Sequence, residues 1–469
     1  METKTGMKGK TDWWSCDGKG FTRRKTTREA NPPRETTESL SLLSPTRRQV
    51  LMGAALALVG WAAKDSTALA DLTITPGKPA ERADTLVVIF LRGGADGLNI
   101  VIPYLEDEYH RSRQNVGLAS PTDRRASATD RAIDLNGFFG MHPAMASIRP
   151  LYEQGLLAFV HACGSGDQTR SHFEAMATME RGLPDEKTGL ASGWVARYLS
   201  NTVNDNPSPL RAVSFSSVMP DSLRGATDAT ALTSLNEFRL VLPSGGGSEK
   251  EAILRSALES LYREGKDAVS HAGRETLAVL ETLNRIDPAN YRPANGATYP
   301  TSDLGNGMRQ VACLIKGKVG LEVACLERGG WDTHVAQGSS GGWLASNLDD
   351  VSRSLAAFCA DMGADMSRIS VVVMTEFGRR LVENGGLGTD HGRASVMWLL
   401  GGGIAGGKVY ARWPTLAKDQ LEEGLDLQVT TDYRDVLAEI VTRRLLNSRA
   451  AAIFPNYTPK PLGVAKIKA

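Results

Sequence analysis

Cysteine is scarce in this sequence, and so are long apolar runs and any surplus of basic charge. Five cysteines stand among 469 residues, none in a C-x-x-C spacing, which argues against a cysteine-built metal site. No stretch stays apolar over the roughly 18 to 20 residues that a membrane-spanning helix needs; the uncharged run from Gln49 to Ala63 falls short. The first 70 residues hold 12 of the 54 Lys and Arg but 7 of the 53 Asp and Glu. The remainder is therefore mildly acidic and lacks the basic footprint of a nucleic-acid binder. A dinucleotide fingerprint is missing too. In "LRGGADGLN" Arg92 stands where glycine would be needed, and "GGGIAGG" (401–407) runs into "KVYARWP" instead of a helix. There is no internal repeat and no long low-complexity tract.

What is present begins with a leader. Arg47 and Arg48 precede the uncharged run, and Ala68-Leu69-Ala70 makes a small-x-small cleavage site. These are the regions of an export signal, and the paired arginines point to the twin-arginine machinery as the precursor's partner. Residues 1–70 are thus expected to be a signal peptide with a long polar lead. The mature protein would start near Asp71, without a membrane span, in the periplasm or otherwise exported. Cys16 leaves with the leader. Cys163, Cys325 and Cys359 sit in apolar runs and read as core residues, and with Cys313 they allow three disulfide connectivities.

Six apolar runs read as buried strands: 85–91, 156–162, 212–216, 318–326, 369–375 and 395–400. Their near-continuous apolarity suits the inner strands of a parallel sheet covered on both faces. Helical patterns alternate with them, in "HPAMASIRPLYEQG", "ASNLDDVSRSLAAFCADMG" and "TTDYRDVLAEIVTRRLL". That alternation predicts one α/β domain over 71–469, doubly wound around a mostly parallel sheet. Residues 249–286 carry charge and no strand signal, and read as one long helix or a helical hairpin in an insertion of about 249–290.

In such sheets ligands bind beyond the carboxyl ends of the strands. The first strand ends in "RGGADG" with Asp96 at the tip, either a ligand or a turn aspartate. The second leads through Arg170, Ser171 and His172 to a helix start, which offers an anion and nucleophile site or plain capping. The fourth ends in "GGWDTH", where an extended backbone would send Asp332 and His334 to the same side. The fifth ends at Glu376, a site acid or the start of a helix, and continues to "GTDHG". There the adjacent side chains of Asp390 and His391 diverge. His110, His142, His161 and His271 have no such company and read as structural or surface residues. Carboxylate with imidazole and little cysteine suits a divalent ion, or a pair of them, such as zinc, manganese or iron.

Together "FLRGGADGLN", "FFGMHPAM", "TRSHFEAMATMERG", "GGWDTH", "TEFGRR", "GTDHGRA" and "TTDYRDVLAEI" resemble, in order over about residues 83 to 458, the bacterial exported proteins of domain-of-unknown-function family 1501. That family is similar to the alkaline phosphatase and sulfatase superfamily. The resemblance implies an alkaline phosphatase-like fold, with Asp96 as a first-strand metal ligand and Asp332, His334, Asp390 and His391 as the later set. Two departures stand out. Counting back ten residues from Gly182, where the superfamily places its nucleophile, reaches His172, with Ser171 one step away. No histidine follows His391, so one metal site is incomplete or differently built. The expectation is a metal-dependent hydrolase of small phosphate or sulfate esters. In it Ser171 would be the nucleophile, His172 an alternative ligand or base, and Arg170 the neutraliser of anionic charge. The alternative is a non-catalytic relative acting as a binding or assembly component of the cell envelope.

Overall fold

Every residue of strand β1 (Thr85–Leu91) is buried, and its neighbours explain why. The computed structural model describes residues 84–468 apart from 185–188, 203–205, 207, 228 and 241–247. The leader, with Arg47, Arg48, the cleavage site and Cys16, lies outside the described residues. The further strands that matter here are β2 (Leu157–Gly164), β3 (Ala212–Ser214), β4 (Ala229–Ala231), β5 (Val323–Arg328), β6 (Ile369–Thr375), β7 (Arg379–Glu383), β8 (Thr389–His391), β9 (Ser395–Leu400), β10 (Lys408–Tyr410) and β11 (Thr431–Asp432). The main sheet has nine strands in the order β10-β2-β9-β6-β1-β5-β3-β4, with β11 beside β2. Strand β1 pairs in parallel with both neighbours, Val88 lying opposite Cys325 and Val372.

The principal helices are α1 (His172–Arg181), α2 (Trp194–Asn201), α3 (Ser248–Tyr262), α4 (Ala268–Ile286), α5 (Asp303–Lys316), α6 (Trp343–Met362) and α7 (Tyr433–Arg443). Alternation along β1 separates two cores. Leu86, Val88 and Phe90 pack with Trp194 and Leu199 of α2 and Tyr433 and Val436 of α7. Val87, Ile89 and Leu91 pack with Val311 of α5 and Leu348 and Leu355 of α6. Helices therefore cover both faces, which makes the molecule an α/β fold around a mostly parallel sheet. Asp432 caps α7 by accepting from the Arg434 N–H (2.8 Å). The charged segment expected as one helix or a hairpin forms two, α3 and α4, which pack on each other.

Two strand readings change. The run 395–400 is a buried inner strand, β9, but it lies antiparallel to both β2 and β6. Its composition reports burial on two faces and is blind to direction. Between β6 and β9 the chain makes only the β7–β8 hairpin. With no helical crossover to carry it to the other end of the sheet, it re-enters from the edge it left. The run 318–326 becomes strand only from Val323, because Lys318 and Gly320 take positive φ in a turn. Cys163, Cys313, Cys325 and Cys359 are all buried and unpaired. Among the described residues no helix is long and apolar enough to cross a membrane.

Candidate metal centre

The carboxyl ends of β1, β2, β5 and β6 reach one edge of the sheet, and the loops that follow them meet there. Glycine lets them approach. A Cβ on Gly388 would come within 2.3 Å of the Thr333 carbonyl, and one on Gly93 within 2.6 Å of the Asp332 nitrogen. The loops after β5 and β7 are hydrogen-bonded together: Thr389 N–H donates to Thr333 O (3.1 Å), and Ala336 N–H to Gly386 O (2.9 Å). This close packing is the reason for the glycine fences around these candidate residues.

Three imidazoles converge on one carboxylate oxygen. Nε2 of His334 and Nε2 of His391 each lie 3.1 Å from Asp332 Oδ1, and Nε2 of His172 lies 3.4 Å away. The His334 and His391 Nε2 atoms are 2.9 Å apart. Ligand atoms of His172, Asp332 and His391 all fall within 4.8 Å of one another. The opposite nitrogens decide the tautomers. Nδ1 of His172 meets Glu376 Oε1 (2.7 Å), Nδ1 of His334 meets Asp390 Oδ1 (3.0 Å), and Nδ1 of His391 meets the Arg170 carbonyl (2.9 Å). Carboxylates and carbonyls accept, so each Nδ1 carries a hydrogen, and in a neutral ring the Nε2 lone pair turns inward. Lone pairs 2.9 Å apart facing an anionic oxygen repel unless positive charge lies among them. The buried Nε2 of His172 has no hydrogen-bond partner. Three oriented imidazoles and a carboxylate fit a divalent ion, and the Nδ1 partners are of the kind that steady histidine ligands around metals.

The electrostatics follow from these contacts. The hydrogen bond to Glu376 raises the His172 imidazole above its usual value, while burial lowers that of His391. Burial alone would raise the Asp332 carboxyl, but the hydrogen bond and charge of Arg379 outweigh it and hold it at about 2. Asn384 and His334 lower Asp390.

The sequence-derived candidates divide. His172, Asp332, His334 and His391 come together. Asp390 sits one layer out, behind His334, so the divergence from His391 is realised as two separate roles. Asp96 is elsewhere: it is fully buried, with Arg113 on both oxygens (2.6 and 3.0 Å) and the Gln337 amide on Oδ2 (2.7 Å). Gln337 in turn accepts from Thr333 (2.8 Å) and Thr389 (2.7 Å), so Asp96 braces the two candidate loops from below. The guanidinium of Arg170 is engaged by Asp426 (2.6 Å) and Glu423 (2.8 Å), and its carbonyl holds His391. Ser171 is the N-cap residue of α1, and its side chain makes no capping bond. Sequence reasoning left Glu376 undecided and missed Arg379 and Asn384. Only Glu376 had a signal, its place at a strand end.

The family described as "Protein of unknown function (DUF1501)" matches residues 83–456. Two solved structures of mutant TAB5 alkaline phosphatase, each with Mg bound in the M3 site, are similar at 10% identity. They cover 68% of this chain and 91% of theirs, with TM-scores of 0.27 and 0.26. Comparison with curated proteins gave no match.

Proposed function

From the premise that the chain belongs to the family of proteins of unknown function 1501, we propose that it is an exported, metal-dependent hydrolase of phosphate or sulfate esters. The observation that carries this reading is the convergence of three Nδ1-anchored imidazoles on Asp332. His172, Asp332, His334 and His391 would hold the ion, which would supply Lewis acidity and charge to an ester oxygen. Glu376, Asp390 and the Arg170 carbonyl keep the Nδ1 protons and so aim the rings. Ser171 is the candidate nucleophile, beside His172 at the free N–H groups of the α1 start, where an anion is favoured. The same reading places the protein in the alkaline phosphatase and sulfatase superfamily. It makes residues 1–70 the twin-arginine signal and 71–469 the working domain, and zinc, manganese and iron the candidate ions.

A second reading has the protein keep the sheet, with or without the metal, and bind or assemble in the cell envelope without turnover. One observation favours it: the arginine expected to receive an anion, Arg170, is already paired with two carboxylates. Elemental analysis of the purified mature protein, followed by a panel of aryl phosphate and sulfate esters, separates the readings. Stoichiometric metal with turnover of one ester class supports the hydrolase. A protein, with or without metal, that turns over no mono- or diester, phosphonate or sulfate supports the binder.

A further inference from the structure

Arg379 is 1% exposed. A buried guanidinium is tolerated only when its N–H groups find acceptors, and here they reach three loops at once. Nε donates to Gly94 O (2.7 Å) and Nη1 to Thr389 O (2.9 Å). Nη2 donates to Trp331 O (3.0 Å), to Asp332 Oδ1 (2.7 Å) and to Gly93 O. Each contact lies next to a metal-ligand candidate. Trp331 precedes Asp332, Thr389 is two residues before His391, and the Gly93 N–H donates to the Glu376 oxygen (2.8 Å) that also holds His172.

We infer that Arg379 is the positioning residue that assembles this ligand set before an ion arrives. It rests on the metal reading above. Asp332 is the only carboxylate among its acceptors; the rest are carbonyls, so most of its hydrogen bonds draw loops together and do not neutralise charge. A planar fork can address several acceptors in different directions. A lysine ammonium presents its donors from one point and cannot span the same three loops. The cation also sits on the oxygen toward which the three Nε2 atoms turn. It therefore gives the loops their converged geometry without the metal, and binding an ion then requires little reorganisation of the chain.

The test uses cobalt(II) as the probe, with wild type, Arg379→Lys and Arg379→Gln prepared free of metal. Affinity is read by chelator competition, coordination by visible absorption, and loop order by amide exchange in the absence of metal. The expected result is cobalt affinity about tenfold to a hundredfold weaker in the variants, the range for groups that orient metal ligands. Visible bands should shift and exchange should speed up over 331–335 and 386–391, less in the lysine variant than in the glutamine one. Exchange over 369–373, in the core of β6, should stay as in wild type. A folded variant with wild-type affinity and spectrum overturns the inference. So does failure of both variants to fold even with saturating cobalt, because Arg379 would then serve the whole fold and not the ligand set. Wild type that binds no cobalt overturns the metal reading itself, and is told apart because that arm fails before any variant is compared.

Discussion

Two groups of histidines in this chain use the same ring in opposite ways. His142 and His161 are fully buried beneath the sheet edge. Their Nδ1 atoms accept from backbone N–H groups, of Ala144 (3.1 Å) and Ala162 (2.7 Å), and their Nε2–H groups donate to the carbonyls of Ser339 and Val101, both at 2.8 Å. His172, His334 and His391 reverse this. There Nδ1 donates outward and the three Nε2 atoms face one point, Asp332 Oδ1. A neutral imidazole has one donor and one acceptor. In the core both are consumed by the backbone, and at the loop edge Nε2 meets only Asp332 and the neighbouring rings. What separates a structural histidine from a candidate ligand here is therefore the second nitrogen's partner together with depth, not residue type.

The largest effect that would test this contrast is acid lability. Burial pushes His142 and His161 down to about 4, while an unfolded imidazole stays near 6.5. With the folded pKa below the unfolded one, stability is complete above about 6.5 and is lost as pH falls toward 4. The loss reaches about 3 kcal/mol for each ring by pH 4. Metal-free wild type and the double variant His142→Gln, His161→Gln should be melted between pH 7 and 4.5. The variant should be less stable at pH 7 yet lose less on acidification, since the site histidines are common to both proteins. Parallel acid curves would mean the core rings are not held neutral.

Metal removal comes next. An ion that binds only the folded state at a thousand times its dissociation constant stabilises by about 4 kcal/mol. Chelation should remove this from wild type and from the core double variant, but have nothing to remove from His391→Ala. Equal melting of wild type with and without chelator would put the two histidine groups back in one class.

The outer partners give a smaller, graded effect. Asp390→Asn should weaken metal affinity about tenfold to a hundredfold, because the amide can still accept from the His334 ring but without a charge. Equilibrium dialysis that finds no change would leave His334 oriented by the loop alone. Ser171→Ala should have the least effect on metal content and melting, within about 0.5 kcal/mol for a surface site, while abolishing ester turnover. Retained turnover would exclude Ser171 as nucleophile.

Part of this site was legible in the linear chain. Glycine-fenced "GGWDTH" and "GTDHG" after apolar runs mark loops at strand ends; the expected extended backbone at "WDTH" is instead a tight turn, the Thr333 N–H donating to the Trp331 carbonyl (2.9 Å), and Asp332 and His334 still meet. Asp96 looked equivalent to them, since it too ends a strand between glycines. Its partner Arg113 lies 17 residues on, with nothing in the intervening sequence to announce the pairing. Glu376 and His172 are 204 residues apart, and Arg379 finds Gly94 across 285.

The sequence by itself determined where the chain is buried, because apolar composition over a short run is enough to place a strand between two layers. It also determined which loops could crowd together, because only glycine leaves room for backbone against backbone. The direction of β9, the diversion of Asp96 into an ion pair, the engagement of Arg170 and the inward turn of three Nε2 atoms were decided by the tertiary structure. Each depends on which distant donor or acceptor arrives opposite a side chain. That is set by how the strands close into a sheet, and no local period or spacing carries it.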